Sequence, residues 1–266
     1  MNVLFVGDIV GKPGRLAFRE MLPGLIREHS IDLTVANCEN ASGGAGLTRD
    51  NYEELVRSGA DVLTSGNHIW DKQEIFDYVD RAELLLRPLN YPIAPGRGTA
   101  VVSAPSGAKL GVLNLMGTVF MGGSLESPWK MADEALAELR KETPCILVDF
   151  HAEASSEKQA MGFFCDGRAS LVVGTHTHVQ TADERIFAGG TAYITDAGMT
   201  GPYDSVIGMK KEISLKRFTT GLPAKYENAK GDVRFCGVVV SIDEQTGKAT
   251  KIMRVNLPFQ GQNGSE

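Results

Sequence analysis

Short apolar runs alternate with amphipathic stretches along the first part of the chain. The runs "NVLFVGD", "LTVANCEN" and "DVLTSGNH" predict buried strands, because each is short, β-branched and followed by polar residues. Between them, "GKPGRLAFREMLPGLIREH" predicts a helix bent or restarted near Pro23, and "TRDNYEELVRSGAD" predicts a helix capped by Thr48. A third helix is predicted over "KQEIFDYV", with Asp71 and Glu74 forming a capping box.

The pattern then changes to hairpins mixed with helices. "TAVVSAPSGAKLGVLNLMG" and "RFCGVVVSIDEQTGKATKIMRVNL" each predict two strands around a turn. "SPWKMADEALAELRKE" predicts a helix that begins after Ser127, and "CILVDFH", "SLVVGTHTH" and "TAYITDAG" predict further strands. The fold class predicted is therefore α/β: a layered αββα sandwich of two mixed sheets with helices outside.

The chain is expected to form a single domain over residues 1–260. Residues 198–232 show no firm periodicity, so they are a candidate for a lid, a mobile loop or a small insertion near a site. Residues 261–266 are predicted to form a disordered tail.

Composition and charge restrict the classes of function. The 266 residues are 42% hydrophobic and 23% charged, as in an ordinary soluble protein, and no apolar run is long enough to span a membrane. The net charge of −6, without a basic stripe, argues against binding of duplex nucleic acid but allows a small anionic substrate. The N-terminus lacks the basic region of a signal peptide, so a cytoplasmic location is expected. Four scattered cysteines predict reduced core residues, and a homo-oligomer remains open.

Reactive side chains follow the apolar runs. Four of the five histidines do so, and His29, in a polar stretch, is predicted to be a surface residue. Ligand sites of α/β sheets gather at the carboxyl ends of strands, where one histidine alone is more commonly structural. The coincidence of six such residues favours a metal site; they are Asp8, Glu39, His68, His151, His176 and His178.

The donor types restrict the metal. Imidazoles and hard oxygen donors suit iron, manganese or zinc, with Cys38 only a minor candidate ligand. In "GTHTH", His176 and His178 would point to one side of an extended strand, or straddle two metals if the chain turns. A bridging glutamate fits two ions roughly 3.5–4 Å apart.

Four motifs carry a family resemblance over essentially the whole chain. "GD" after the first strand, "GNH" after the third, a histidine after a mid-chain strand and "GTHTH" are similar to the motifs of calcineurin-like metallophosphoesterases. The longer segments "MNVLFVGDIVGKPGR", "NCENASGG", "GNHIWD" and "GTHTHVQTADE" resemble those of the YmdB-like family of small bacterial metallophosphoesterases. Val10 stands where the broader superfamily has a histidine, and Glu39 where it has a bridging aspartate; the YmdB-like family makes the same exchange.

The resemblance implies a ligand for each position. One metal would be held by Asp8, Glu39, Asn40 and His178, and the other by Glu39, Asn67, His151 and His176. Iron is the metal most favoured, then manganese, and zinc less so. His68 matches the catalytic histidine of the family.

The implied activity is hydrolysis of small phosphodiesters, including 2′,3′-cyclic nucleotides, by a metal-bridging hydroxide with His68 as general acid. A broad-specificity phosphomonoesterase and a non-catalytic cyclic-nucleotide or metal sensor are the alternatives. The glycines of "ASGGAG" are either a phosphate cradle or plain loop residues. Asp149, Glu153 and Asp196 border the predicted site as candidate partners of the histidines, although Glu153 is expected to be a surface carboxylate.

Overall fold

A computed structural model of the chain describes residues 1–260, so the tail predicted over 261–266 lies outside the described residues. The strands are β1 (Asn2–Val6), β2 (Asp8–Ile9), β3 (Leu33–Asn37), β4 (Val62–Thr64), β5 (Thr99–Ser103), β6 (Lys109–Met116), β7 (Ile146–His151), β8 (Leu171–Thr175), β9 (Arg185–Ile186), β10 (Ala192–Ile194), β11 (Met199–Pro202), β12 (Val233–Ile242) and β13 (Ala249–Pro258). The helices are α1 (Gly11–His29), α2 (Arg49–Arg57), α3 (Ile75–Tyr78), α4 (Pro128–Leu139), α5 (Ser155–Phe164) and α6 (Lys211–Thr220), and Asn67–Trp70 form a 3₁₀-helix.

The strands form two mixed sheets, which confirms that part of the prediction. In the first sheet the order is β2-β11-β12-β1-β3-β4, and β13 also pairs with β12. β1, β3 and β4 are parallel, whereas β12 runs antiparallel to β1. In the second sheet the order is β5-β6-β7-β8-β10-β9, with a parallel centre and antiparallel edges.

Three apolar cores hold four layers together. Alternate residues of β1 point to opposite faces: Phe5 packs between the two sheets, whereas Leu4 packs under the helices on the outer face. Phe18 of α1 belongs to that outer core, and Leu136 of α4 belongs to a third core on the far side of the second sheet. Each fully buried side chain of this size stabilises the fold by about 1.5–3 kcal/mol. The predicted αββα sandwich is confirmed.

Several elements differ from the predictions. Helix α1 continues through Pro23, so the predicted restart at this residue does not occur. The predicted capping box is wrong, because α3 begins only at Ile75 and its N-cap, Glu74, makes no side-chain capping bond. The predicted cap of α2 by Thr48 is confirmed, since its side chain accepts a hydrogen bond from the Asn51 backbone N–H. This cap joins two residues three positions apart, so a local pattern is enough to predict it.

Residues 198–232 contain β11 and α6. β11 pairs with β2 on one side and β12 on the other, so it is an integral strand of the first sheet. The remainder, with α6, borders the site described below; whether it moves as a lid stays a prediction. Among residues 1–260, no helix has the length and apolar character that crossing a bilayer requires.

Candidate metal centre

The two sheets bring the predicted site residues to one place. Each residue lies at or just beyond the carboxyl end of a strand: β1, β3 and β4 in the first sheet, β7 and β8 in the second. Neighbouring parallel strands end at the same edge of a sheet, so these side chains converge where the edges meet. The residues concerned are Asp8, Glu39, Asn40, Asn67, His151, His176 and His178.

One group of donors surrounds the Nε2 atom of His151. That atom lies 3.2 Å from Oε1 of Glu39 and 3.0 Å from Nδ1 of His176. Oδ1 of Asn67 lies 3.0 Å from the same nitrogen. One ligand atom from each of Glu39, His151 and His176 lies within 4.8 Å of the others, which is close enough for them to share an ion.

A second group uses the same glutamate. Asp8, Glu39 and His178 also each offer a ligand atom within 4.8 Å of the others. His178 Nε2 lies 3.9 Å from Oδ1 of Asp8. The side-chain nitrogen of Asn40 lies 2.9 Å from Oε1 of Glu39 and 3.2 Å from Nε2 of His178, so a half-turn of this amide would present its oxygen to the group. Glu39 therefore belongs to both groups of donors.

The residues fit a bound cation. Oδ1 of Asp8 is buried and has no hydrogen-bond partner within residues 1–260, and burial raises the pKa of this carboxyl. An ion at the second group would compensate that carboxylate. Carboxylates, imidazoles and amides, without a thiolate, are donors suited to iron, manganese or zinc.

Opposite charges stabilise the shared glutamate. Burial alone would raise the pKa of Glu39, but His151 and the backbone N–H of His68 hold it well below its usual range. Burial lowers the pKa of His151, but the Glu39 and Asp8 carboxylates outweigh this and raise it to about 9. Burial and the neighbouring His151 lower the pKa of His176 to about 3, so its imidazole is neutral and keeps a lone pair for a metal.

Each histidine is oriented by a bond on its other nitrogen. His151 Nδ1 lies 2.9 Å from the Thr175 hydroxyl, which donates to Asp149 at 2.7 Å. Nδ1 of His178 donates to the backbone carbonyl oxygen of Ile207 at 3.0 Å. These partners turn the Nε2 atoms of both rings toward the other donors of the centre.

The third histidine has a carboxylate partner. Nε2 of His176 lies 3.1 Å from Oε2 of Glu153, which leaves Nδ1 of the ring for the centre. The sequence predicts Glu153 to be a surface carboxylate; it is half exposed, but it contacts this ring. Glu153 is therefore both a surface carboxylate and a partner of His176.

The chain turns between His176 and His178. The backbone φ angles are 96° at His176 and 65° at His178, a region that residues with a side chain rarely adopt. The turn separates the two imidazoles, and each joins a different group of donors, as the turned alternative predicts.

The N–H and hydroxyl of Thr177 donate to Oδ2 of Asp196 at 3.2 and 2.6 Å, and Nζ of Lys158 donates to the same oxygen at 2.7 Å.

Known proteins share this architecture and sequence. The model of the YmdB-like protein family matches residues 4–255. The chain belongs to the YmdB-like family. It is 53% identical over 256 residues to the 2′,3′-cyclic-nucleotide 2′-phosphodiesterase of Bacillus subtilis (strain 168), with 96% of each chain covered.

Two solved structures are similar over almost the whole chain. One is a hypothetical protein from Thermus thermophilus, with a TM-score of 0.90 and 40% identity, covering 97% of this chain and 99% of the other. The other is described as a novel phosphatase from Mycoplasma pneumoniae, with a TM-score of 0.91 and 36% identity, covering 97% and 93%. The resemblance inferred from the motifs is thereby confirmed.

His68 occupies a different position from the seven converging residues of this YmdB-like chain. Its backbone N–H donates to Oε2 of Glu39 at 3.1 Å, while its ring lines the open cavity and is 39% exposed. Nδ1 of the ring lies 2.7 Å from Oδ2 of Asp71, the residue that the sequence pattern assigns to a helix cap. Asp71 therefore orients the imidazole and leaves Nε2 available to a ligand.

The cavity above the centre has a volume of about 540 Å³. Glu39, His68, His176 and His178 line it. The region predicted to contain a lid contributes mainly apolar lining residues: Val206, Ile207, Met209, Phe218 and Tyr226. A small substrate with one polar end and one apolar end fits this distribution of side chains.

Cys38 does not belong to the centre. Its thiol donates to the Thr64 carbonyl oxygen at 3.2 Å, and burial raises the pKa of the thiol, so it stays protonated. All four cysteines lie within the described residues and are buried free thiols.

Sequence reasoning misses Lys158, because it lies on α5, a helix that the pattern does not predict.

Proposed function

We propose that this YmdB-like protein is a dinuclear metal-dependent phosphodiesterase that hydrolyses small phosphodiesters, with 2′,3′-cyclic nucleotides as the substrate class. The observation that carries the proposal is the position of Glu39, which is shared by two groups of metal donors below a cavity that His68 also lines. The identity of 53% to a 2′,3′-cyclic-nucleotide 2′-phosphodiesterase supports the same activity.

The proposed ligands are those predicted by the resemblance. Asp8, Asn40 and His178 would hold one ion, Asn67, His151 and His176 the other, and Glu39 both. Iron is favoured, manganese second and zinc third, because the donors combine imidazoles with hard oxygens. When bound, two such ions polarise phosphoryl oxygens and lower the pKa of a coordinated water.

His68 would protonate the departing ester oxygen. Asp71 holds Nδ1 of the ring, so Nε2 is the atom that faces substrate in the cavity. A positioned acid of this kind is worth about 10²–10⁴-fold in rate. The apolar lining residues would contact the nucleoside portion, and the proposed metal donors would hold the phosphate.

The roles of His68 and Glu39 are separable. His68→Ala should retain both metals and lose at least about 10²-fold in kcat on a 2′,3′-cyclic nucleotide. Glu39→Ala should lose metal, because both groups of donors depend on this carboxylate. Metal content by elemental analysis and steady-state kinetics check both outcomes. His29→Ala is the matched control, since His29 lies at the end of α1, outside both groups of donors, and its ion pair is with the exposed Glu28. Full activity of His68→Ala would contradict its assigned role.

The same assays distinguish the alternatives. A phosphomonoesterase would hydrolyse p-nitrophenyl phosphate faster than bis-p-nitrophenyl phosphate. A sensor would bind a cyclic nucleotide without turnover in the presence of iron, manganese or zinc. The cytoplasmic location, the oligomeric state and the exclusion of duplex nucleic acid stay predictions.

A further inference from the structure

A second cavity of about 740 Å³ adjoins the cavity above the metal centre. Gly43 and Asn228 line both. A Cβ atom on Gly44 would lie 2.3 Å from Oδ1 of Asn228, so this side chain packs directly against the glycine loop between the cavities. The two cavities are therefore neighbours at Gly43 and Asn228.

The second cavity is lined by cations without anions. Lys12, Arg15, Lys72 and Lys230 border it, and no aspartate or glutamate among residues 1–260 does. This composition is unusual in a chain that has 33 acidic and 27 basic residues. We call this the cationic cavity. Its field favours an anionic ligand locally, although the whole protein carries a net charge of −6.

Three of the four cations are available to a ligand. Arg15 is engaged, because its Nε donates to Glu54 at 2.7 Å and its Nη1 to the Ala41 carbonyl oxygen. Within residues 1–260, no carboxylate oxygen lies within 4.0 Å of the ammonium groups of Lys12, Lys72 or Lys230. Ammonium groups of this kind are suited to bind phosphate as point charges.

The backbone adds positive potential at the same place. Helix α1 is 19 residues long and begins at Gly11, so its positive end lies beside Lys12 and Pro13 at the cavity. Gly43 and Gly44 have φ angles of 73° and 92°, and none of the described atoms lies within 4 Å of a Cβ built on Gly43. A phosphate can therefore approach the loop closely at Gly43.

We propose that the cationic cavity binds the phosphate attached to O5′ of a nucleoside whose 2′,3′-cyclic phosphate lies at the metal centre. This inference rests on the proposed function. With the cyclic phosphate at the metals, the remaining anionic groups of a ribonucleotide are those on its 5′ side. The ligand is thus a nucleotide with a terminal 5′-phosphate, or the end of an oligoribonucleotide joined through that phosphate.

Three substrates with the same base test the proposal. They are a nucleoside 2′,3′-cyclic phosphate, the same compound with a 5′-phosphate, and a dinucleotide that ends in the 2′,3′-cyclic phosphate. The metal-loaded full chain should show a higher kcat/KM for one or both of the 5′-substituted compounds. The better of these two identifies the source of the phosphate.

Paired lysine variants connect the effect to the cavity. Lys12→Ala/Lys230→Ala should lower kcat/KM for the 5′-substituted compounds by about tenfold, and leave the unsubstituted compound unchanged. Lys72 is not varied, because it neighbours Asp71, the partner of His68. Lys141→Ala/Lys251→Ala is the matched control, since both lysines are exposed and neither lines this cavity.

The outcomes separate the two proposals. Equal kcat/KM for all three compounds in the unmodified protein would overturn the cationic cavity as a phosphate site, as would an equal loss for all three in the lysine variant. Absence of turnover with every compound would instead overturn the proposed function.

Discussion

Gly66 lies where any side chain would collide with two of the proposed metal ligands, His151 and Glu39. A Cβ atom at this position would lie 2.3 Å from Nε2 of His151 and 2.5 Å from Oε2 of Glu39. Both atoms belong to groups packed too tightly to move freely, since Glu39 and His151 are buried. The glycine between β4 and Asn67 therefore allows the donors to approach one another.

We expect Gly66→Ala to lose metal. The added methyl group must displace His151 or Glu39, and each of these residues contributes to a group of donors. The measurement is metal content after purification, together with the affinity of the apoprotein for Mn²⁺. Gly24→Ala is the control, because none of the described atoms lies within 4 Å of its added Cβ, and alanine favours a helix interior by about 0.5–1 kcal/mol. Retention of metal in Gly66→Ala would contradict the close approach at this position.

The residues proposed to bind metal, and the carboxylates that border them, could be predicted from the sequence, whereas the roles of Asp71 and Lys158 could not. Asp8, Glu39 and His151 each end an apolar run, and the ends of parallel strands must lie together. Asp71 carries the signal of a helix cap, and only the structure shows its carboxylate 2.7 Å from His68. Glu153 is expected from the sequence to be a surface carboxylate, and its contact with His176 joins distant parts of the chain that a local pattern does not relate.

Helix α5 supports the turn that presents two of the histidines. Lys158 of this helix is 1% exposed and Asp196 is fully buried, so the pair is withdrawn from water. Asp196 also accepts two hydrogen bonds from Thr177, the residue between His176 and His178, and one from the backbone N–H of Gly198. The buried pair thereby fixes a backbone conformation that is unfavourable by itself.

We expect Lys158→Met to destabilise the protein and weaken metal binding. Removing the ammonium leaves the Asp196 carboxylate buried without its counter-ion, at a cost of about 3–5 kcal/mol. The free energy of unfolding from denaturant titration and the affinity for Mn²⁺ are the measurements. Lys141→Met is the matched control, because its ion pair with Glu138 is exposed and little change is expected.

Metal affinity distinguishes a positioning role of Lys158 from a purely stabilising role. If Lys158 positions the turn, metal affinity should fall under conditions in which the variant remains folded. Unchanged metal affinity of the folded variant would show that the pair only stabilises the core.

Elements with a clear apolar pattern were predictable, whereas the two-residue strands and helices α5 and α6 were not. β7 is predicted from a short, mainly apolar run, α4 from helical spacing over 12 residues, and the hairpin of β12 and β13 from two runs around a turn. β2 and β9 have two residues each and exist only because a distant strand pairs with them. Helix α5 escapes prediction for a related reason: its buried side includes Glu157 and Lys158, which mimic a solvent-exposed surface in the sequence.

The two sheets meet at the proposed metal centre. The first sheet contributes Asp8, Glu39 and Asn67 from the ends of its strands, and the second contributes His151 and the turn after β8. Ions held by both sets of residues would join the sheets at the end where carboxylates and imidazoles replace the apolar core. Metal binding should therefore stabilise the whole fold as well as provide chemistry.

Removal of metal by a chelator should lower the melting temperature. A ligand present at 100 times its dissociation constant stabilises the folded state by about 2.7 kcal/mol, which for a chain of this size corresponds to about 5–10 °C. Differential scanning calorimetry before and after chelation, and again after adding Mn²⁺ or Fe²⁺, measures the shift. In Glu39→Gln the shift should be much smaller, because both groups of donors lose their shared carboxylate. The same melting temperature with and without chelator, in a protein shown to contain metal, would mean that the ions do not hold the sheets together.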